Sequence, residues 1–515
     1  MHGAVFDVLW NEVIVRTEAW AKERNRPLLK GLVEARVVSG VVLALGLALL
    51  VPLALSLLYR DGSWASFLLP GAAMALIGGV GLRVTSSLFR TPRYVSNRDV
   101  YLSVTLAWVV AALLGGVPFL IEDTFDSLLD STFEAMSGFT TTGSTLLSDI
   151  EAQTPSILFW RSMTQWLGGI GIVVLFVAVA PVIGAGAARL LGAEVSGLTP
   201  TRLTPRIADT AKALLVIYLV ISLAETIALV VVGMPLYDAV VHTFTTVATG
   251  GFSTKTASIG FYDSVGVEAV IAFFMVASGV SFSLYYLLYT RRRFDVVLDR
   301  ELLAYLGILL GAVLFVWGLL VFEGLYGASW DRALRDSAFS VVSIATTTGF
   351  VTADFDKWDT AAKLILILLM FVGGCAGSTA GGIKVIRVLV VFRTVLQDIF
   401  RMVHPRAVTP LVVGGRMVPE GIRLAILGLF AAWIAIFGAA SVLVALQDNL
   451  TLTSSATAVA ATLNVIGPGL GQVGATESFE IVDPFGRVVL TVCMLLGRLE
   501  LFTALALLSP AFWKR

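Results

Sequence analysis

The sequence is poor in charged residues. Only 14% of its 515 residues are Asp, Glu, Lys or Arg, whereas soluble domains carry about 25%. The 36 basic and 36 acidic residues leave no net charge, so nothing indicates a nucleic-acid partner. Instead, 57% of the residues are hydrophobic and the mean hydropathy is +0.89. Several apolar runs exceed the ~20 residues that cross a bilayer, so an all-α, polytopic membrane protein is predicted.

Cysteine and histidine are scarce as well. Cys375 and Cys493 are the only two cysteines, and both lie in apolar segments that favour buried thiols over a disulfide. The three histidines form no His-Glu-x-x-His pattern, and no nucleophile–base pair has a familiar spacing, so an enzyme is not indicated. No Gly-x-Gly-x-x-Gly follows a strand pattern, so control by a nucleotide would require another subunit.

A turn containing glycine occurs four times, roughly 100 residues apart, which is the length of a whole supersecondary unit. The copies are SGFTTTGST (137–145), TVATGGFST (246–254), ATTTGFVT (345–352) and the divergent LNVIGPGLG (463–471). Aligned by sequence, they share Gly143, Gly250, Gly349 and Gly467. The repetition indicates four similar units, because a single such turn would carry little meaning.

Each turn follows a short segment of mixed polarity and stands between two apolar helices. The short segments, ~12–17 residues long, are too short and too polar to cross, so we expect them to enter the membrane part-way and return. They cover 124–139, 235–248, 329–345 and 450–464. Ten spanning helices are predicted, near 37–58, 65–82, 100–121, 156–184, 208–233, 265–290, 302–325, 360–397, 421–446 and 485–509.

Loop charges orient this layout. Residues 122–155 hold acidic residues and no Lys or Arg, whereas Arg291 to Arg293 and the stretch 384–423 are basic. Basic loops remain in the cytoplasm, which places both termini there. The predicted divisions are a cytoplasmic segment, two leading helices and four units, the third with an intramembrane loop: 1–36, 37–98, 99–190, 191–295, 296–405 and 406–515. Residues 1–36 favour a helix on the lipid surface over a partner-docking segment.

Four re-entrant turns around one axis suit a monovalent cation. Backbone carbonyls can replace its hydration shell without a formal charge that would trap it. Glycine permits left-handed φ, which lets successive carbonyls face one way. The short helices would aim their C-terminal ends, with partial negative charge, at the membrane centre.

The turns and their neighbours resemble the Trk/Ktr/HKT superfamily of potassium-translocating proteins over about residues 37–512. The resemblance includes WRSMTQWLGGIG at 160–171, and the two leading helices favour its Trk branch. It implies K+ as the transported ion and an ion filter at Thr141, Thr142, Gly143, Val247, Ala248, Thr249, Gly250, Thr346, Thr347, Thr348, Gly349, Asn464, Val465, Ile466 and Gly467. Backbone oxygens of Thr142, Thr249, Thr348 and Ile466 would contact K+. The fourth turn departs from the threonine-rich pattern.

A second glycine-rich stretch, GGCAGSTAGG at 373–382, interrupts an apolar segment. Its residues alone fit either a close helix–helix interface of small residues or an unwound loop. The resemblance implies the loop, acting as a gate together with Arg498, which would project into the ion path. The residues of this expected gate are Gly373, Gly374, Gly377, Ser378, Thr379, Gly381, Gly382, Lys384 and Arg498.

The expected function is potassium uptake through a gated pore, driven by the membrane potential. The alternative is an H+- or Na+-coupled secondary transporter with a site near the midplane, which broken helices also fit. The resemblance implies a bacterial inner-membrane protein, a homodimer and a cytosolic nucleotide-binding partner of TrkA type. The basic loops 187–212 and 384–423 are the expected docking surfaces for that partner.

Overall fold

The chain is almost entirely helical in the computed structural model. The structure describes residues 31–88, 97–179, 207–291, 298–407, 409–414, 416–501, 505–507 and 509–513. Most of the segment 1–36, most of the loop 187–212, and Arg292 and Arg293 lie outside the described residues. The helices that precede and form the first unit are α1 (Leu32–Ala48), α2 (Leu50–Tyr59), α3 (Trp64–Leu88), α4 (Asn97–Gly115), α5 (Val117–Ile121), α6 (Leu128–Phe139) and α7 (Pro155–Val179).

The remaining helices continue the same order of long and short elements. They are α8 (Ile207–Val231), α9 (Leu236–Val247), α10 (Val265–Ser278), α11 (Phe282–Arg291), α12 (Arg300–Phe322), α13 (Trp330–Ala345), α14 (Thr360–Met370), α15 (Val385–Val403), α16 (Glu420–Val444), α17 (Leu452–Leu463), α18 (Pro484–Arg498) and α19 (Pro510–Trp513). A small antiparallel hairpin, β1 (Val412–Val413) with β2 (Arg416–Met417), lies in the basic stretch before α16. The all-α prediction missed this hairpin.

The four short segments are helices, as expected. α6, α9 and α17 have 12 residues and α13 has 16, which corresponds to about 18 and 24 Å and falls short of the ~30 Å apolar core. Side chains of Ser127 and Thr451 cap α6 and α17 by accepting backbone N–H groups. Each short helix packs against the long helix before it and the helix after it.

The four units also pack on one another in a closed order. α7 contacts α9, α10 contacts α13, α14 contacts α17, and α18 contacts α6. Each of these pairs joins one unit to the next, and the last pair joins the fourth unit to the first. The C-terminal ends of the short helices are therefore brought together inside the bundle.

Three predicted spans are interrupted. Residues 265–290 form α10 and α11, which meet at a bend of 88°. Residues 360–397 form α14 and α15, separated by a segment without helix, and α18 ends at Arg498. Glu500 and Leu501 follow with left-handed φ of 54° and 55°, which no continuing helix allows. Among described residues, six helices are long and apolar enough to cross a membrane, or seven with the bent pair.

The two leading helices form an antiparallel pair joined to the first unit. Gly78 allows α1 and α3 to approach closely, since a Cβ at this position would overlap the backbone of Leu43. In the loop between α2 and α3, the Asp61 carboxylate accepts hydrogen bonds from Ser56 Oγ at 2.5 Å and from Ser156 Oγ at 2.6 Å. Since Ser156 lies in the first turn of α7, this carboxylate links the leading pair to the first unit.

Candidate functional site

Each of the four short helices ends in the same backbone turn. The first residue after the cap has left-handed φ in every copy: Thr141 (56°), Thr249 (55°), Thr347 (58°) and Val465 (61°). Its N–H donates to the carbonyl three residues back, and the next N–H donates to the carbonyl five residues back. This is the Schellman arrangement, in which glycine normally takes the left-handed position.

These left-handed residues are strained. Threonine and valine are β-branched, and such residues rarely adopt positive φ. Backbone strain costs about 1–3 kcal/mol per residue and persists where the surroundings fix it, commonly at functional sites. All four residues are fully buried. Four such residues at equivalent positions mark the turns as the candidate site.

The structure corrects the register of the second turn by one residue. Two residues after each strained residue stands a left-handed glycine: Gly143 (88°), Gly251 (77°), Gly349 (85°) and Gly467 (108°). The sequence alignment used Gly250, whose φ is not left-handed. Thr249 therefore corresponds to Thr141 rather than Thr142, and Gly250 takes the Thr142 position. The pair Gly250–Gly251 misled the alignment because either glycine satisfies the pattern.

The four turns contact one another in a closed ring. Each left-handed glycine faces a carbonyl oxygen of the next turn, so closely in three of the four cases that a Cβ would overlap it. In the fourth case the Cβ position of Gly467 would lie 3.1 Å from Thr142 O. The pairs are Gly143–Gly250, Gly251–Thr348, Gly349–Ile466 and Gly467–Thr142. We call the oxygens of Thr142, Gly250, Thr348 and Ile466 the ring carbonyls.

The ring is formed by main-chain and uncharged side-chain groups. Thr142 and Thr348 have fully buried side chains whose hydroxyls pair with those of Thr140 and Thr346, each at 2.8 Å. Ser144 Oγ donates to Gly467 O at 2.9 Å, which joins the first turn to the fourth. Among the described residues, no group of three His, Cys, Asp or Glu side chains could hold a metal ion. The ring offers main-chain oxygens to any ligand.

The glycine-rich loop, residues 371–384, contains no helix. This rules out the helix–helix interface and matches the unwound alternative. Gly373, Gly377 and Gly382 have left-handed φ of 72–73°, and Lys384 also has positive φ, 82°. The loop is buried, and Glu301 Oε1 accepts its Ala376 N–H at 2.7 Å.

The glycine-rich loop is bonded to three of the four turn regions. Gly381 N donates to Thr347 Oγ1 at 2.6 Å, and Gly382 N donates to Asn464 O at 3.1 Å. Thr379 Oγ1 donates to Val247 O at 3.0 Å. Any movement of the loop would break bonds to residues that enter the second, third and fourth turns.

Arg498, at the end of α18, binds the glycine-rich loop to α7. Its Nη1 donates to Thr379 O at 2.9 Å and its Nη2 donates to Gly168 O at 3.3 Å. The side chain is buried, with 3% of the residue exposed. Lys384 Nζ donates to Ala380 O within the loop. Arg498 and Lys384, the two basic residues of the expected gate, therefore both bond carbonyl groups of the loop. Ser378 Oγ bonds to Cys375 O, inside the loop.

Sequence reasoning missed several residues around the ring. Arg161 and Glu134 form a fully buried ion pair at 2.6 Å, and Gln165 donates to Gly250 O at 2.7 Å. Arg387 pairs with Glu500 at 2.6 Å beside Arg498. Arg161 and Gln165 lie four residues apart within a helix that is otherwise largely apolar, and this spacing places them on one face. That pattern was the available signal.

The fold and the buried ring of main-chain oxygens are those of a polytopic membrane protein. The TrkH family model, described as a cation transport protein, matches residues 71–515, and the chain belongs to this family. It is 38% identical to the Trk system potassium uptake protein TrkH of Halomonas elongata over 489 residues, covering 93% of this chain and 98% of that one. The resemblance to the Trk/Ktr/HKT superfamily is thereby confirmed.

Two further relatives agree with this assignment. The chain is 32% identical to the Trk system potassium uptake protein TrkG of Escherichia coli K12, covering 91% of this chain and 96% of that one. The crystal structure of the potassium transporter TrkH from Vibrio parahaemolyticus matches with a TM-score of 0.85 and 36% identity, over 94% of this chain and 100% of that one.

Proposed function

We propose that this chain is the membrane subunit of a potassium uptake system, in which K+ crosses through the ring of four turns. The observation that carries the proposal is the closed series of glycine–carbonyl contacts between the turns. Uncharged carbonyl oxygens can replace the hydration shell of K+ and still release it. The named potassium uptake function of the relatives supports the same substrate.

The proposed filter keeps the residues expected from sequence, with the second turn shifted. The ring carbonyls would contact K+, so Gly250 replaces Thr249 in that role. Ile466 contributes equally well, because its side chain is not needed when the ligand is its main-chain oxygen. The divergent fourth turn is therefore compatible with a four-fold cage of oxygens.

The glycine-rich loop and Arg498 are the proposed gate. The loop's bonds to Thr347, Asn464 and Val247 place it against the turns, and Arg498 binds it through Thr379 O. A buried guanidinium beside this path repels a cation. In this conformation the gate is closed, and opening requires Arg498 and the loop to separate.

The wider organisation of the protein is part of the same proposal. Four repeated units, preceded by two leading helices, would give ten spans with both termini in the cytoplasm of a bacterial inner-membrane protein. A homodimer would present the stretch 384–423, with α15 and the small hairpin, to a cytosolic nucleotide-binding partner of TrkA type. The charge pattern of the loops supports this orientation.

Flux into liposomes tests the function directly. The purified protein is reconstituted, and uptake is measured with K+ and Na+ in separate batches. Faster K+ uptake supports the proposal, and equal uptake of both ions contradicts it. A potential of 100 mV contributes about 2.3 kcal/mol per charge, enough to drive accumulation.

Current through a planar bilayer separates the pore from the coupled transporter. A steady current that reverses at the potassium equilibrium potential supports the pore. A reversal potential that moves with an imposed H+ or Na+ gradient supports coupled transport instead. The interrupted helices of the third unit are compatible with either mechanism, so the electrical measurement decides.

A further inference from the structure

The second turn lacks a side chain at the ring position. The first and third turns have Thr142 and Thr348 there, and each hydroxyl is paired within its own turn. Gly250 has no hydroxyl, and a Cβ on it would overlap the carboxamide of Gln165. Gln165 belongs to α7 of the first unit. A side chain from one unit therefore fills the space behind the turn of the next.

The Gln165 amide is fully engaged with the second turn. Its Nε2 donates to Gly250 O at 2.7 Å, and its Oε1 accepts the Phe252 N–H at 3.1 Å. Only this amide orientation satisfies both partners, because a carbonyl cannot donate and a backbone N–H cannot accept. The two bonds lie on either side of Gly251, the left-handed residue, and the side chain is fully buried.

Arg161, one helical turn earlier on α7, bonds the next residues of the second turn. Its Nη1 donates to Ser253 O at 3.1 Å, and its guanidinium lies 3.5 Å from the ring centroid of Phe252. Glu134 accepts the Nε at 2.6 Å, so the charge is paired. Arg161 thus holds Phe252 and Ser253, the two residues that follow Gly251, while Gln165 bonds Gly250 and Phe252 on either side of it.

We propose that Gln165 is a positioning residue that sets ion preference by fixing the Gly250 ring carbonyl. Na+ is smaller than K+, so a cage that accepts Na+ must bring its oxygens closer together. Because Gln165 Nε2 is hydrogen-bonded to the Gly250 oxygen itself, that oxygen resists moving away from Gln165 to close around a smaller ion, which favours the larger ion. The inference rests on the proposed function, and it assigns the second turn a support that comes from another unit.

The test compares ion preference in reconstituted variants. Gln165→Met keeps the size but removes both hydrogen bonds, and Gln165→Asn keeps the amide but withdraws it by one methylene. Gln447→Met is the control, because Gln447 is also buried and accepts a backbone N–H, that of Asp483 at 2.7 Å, away from the ring. K+ and Na+ uptake are measured in separate liposome batches, and the ratio is the readout.

We expect the K+/Na+ ratio to fall about three- to tenfold in either Gln165 variant, the change that one net hydrogen bond produces. The Gln447 variant should retain the wild-type ratio. A ratio within about twofold of wild type in a folded Gln165 variant would overturn the inference, as would an equal fall in the control. If Gln165→Met does not fold, Gln165→Asn decides. Absence of K+ preference in the wild type would instead reject the proposed function.

Discussion

Gly143 and Gly349 combine two constraints at single residues. Each has left-handed φ, and a Cβ on either would overlap a ring carbonyl of the next turn. We expect Gly143→Ser or Gly349→Ser to displace that carbonyl and to lower the K+/Na+ uptake ratio about tenfold or more, because the oxygens of the cage are no longer equivalent. Uptake of each ion into liposomes measures this.

Gly62 supplies the matched control for these substitutions. Its φ is +89°, but a Cβ there would meet nothing within 4 Å. Gly62→Ser therefore introduces the same backbone strain without a steric overlap, and its ion preference should equal that of the wild type. If all three variants lose preference equally, the cause is strain and the ring assignment is wrong.

Arg498 is the residue whose removal should increase transport. Its guanidinium binds Thr379 O and Gly168 O and places a positive charge beside the loop. Arg498→Ala removes both the charge and the bonds, so we expect K+ uptake to rise several-fold. Arg60→Ala, at an exposed position outside the bundle core, is the control. Reduced uptake by a well-folded Arg498 variant would show that the arginine supports the path instead of blocking it.

At the scale of elements, α15 and α18 are joined beside Arg498, a residue of the proposed gate. Arg387 on α15 pairs with Glu500, just past the end of α18, at 2.6 Å. Breaking this pair with Glu500→Gln should loosen Arg498 and raise K+ uptake, but by less than Arg498→Ala does. K+ uptake by the double variant should equal that of Arg498→Ala alone, because both changes act through the same contact of Arg498 with the loop. Additive increases would indicate two independent barriers.

A second link between elements depends on pH. Burial alone would raise the pKa of Asp61, but hydrogen bonds from Ser156, Ser56 and Ser63 lower it below its ordinary value of 3.8. A lowered pKa means that Asp61 stabilises the fold above the pKa of the unfolded chain and loses this contribution as pH falls through the folded value.

We therefore expect Asp61→Asn to lower the melting temperature by a few degrees at pH 7. The gap to wild type should begin to narrow below about pH 4, where Asp61 of the unfolded chain becomes protonated, and should close as pH falls through the lower pKa of the folded protein. Thermal unfolding across pH measures both effects, with the exposed Asp126 changed to Asn as the control. A gap that stays constant down to pH 3 would contradict the assignment.

Helix periodicity and length predicted where the helices lie better than where the predicted spans are interrupted. The short helices were evident because polar residues at their ends and their length excluded a crossing. The bend between α10 and α11 was not evident, since the residues on both sides are apolar and no proline separates them. The end of α18 was missed because Glu500 and Leu501 adopt left-handed φ without being glycine.

For the whole molecule, the sequence indicated that four turns converge, but it did not give their register. The Schellman turns place threonine and valine where glycine is expected, so alignment by glycine alone shifted the second turn. Contacts between units, such as Gln165 with Gly250, depend on packing between segments distant in sequence. The spacing of Arg161 and Gln165 marks these residues in the sequence, but their partners come close only in the folded chain.

Closure of the bundle depends on the boundary between the fourth unit and the first. The chain itself links the other neighbouring units, whereas this boundary is held by non-covalent contacts alone. Arg487 of α18 pairs with Asp130 of α6 at 2.5 Å, and both side chains are mostly buried. Arg487 also donates to Val482 O and Glu480 O, each at 2.7 Å.

We expect Asp130→Asn and Arg487→Met to lower the melting temperature, Arg487→Met more, because it also leaves two carbonyls without their donor. The double variant should be less destabilised than the sum of the two, with a coupling of about 0.5–3 kcal/mol. Arg423 and Glu420, a pair within α16 whose carboxylate is exposed to solvent, should show almost none. Equal coupling at both pairs would mean that the boundary is closed by apolar packing, and that its ion pair contributes no more than a surface pair does.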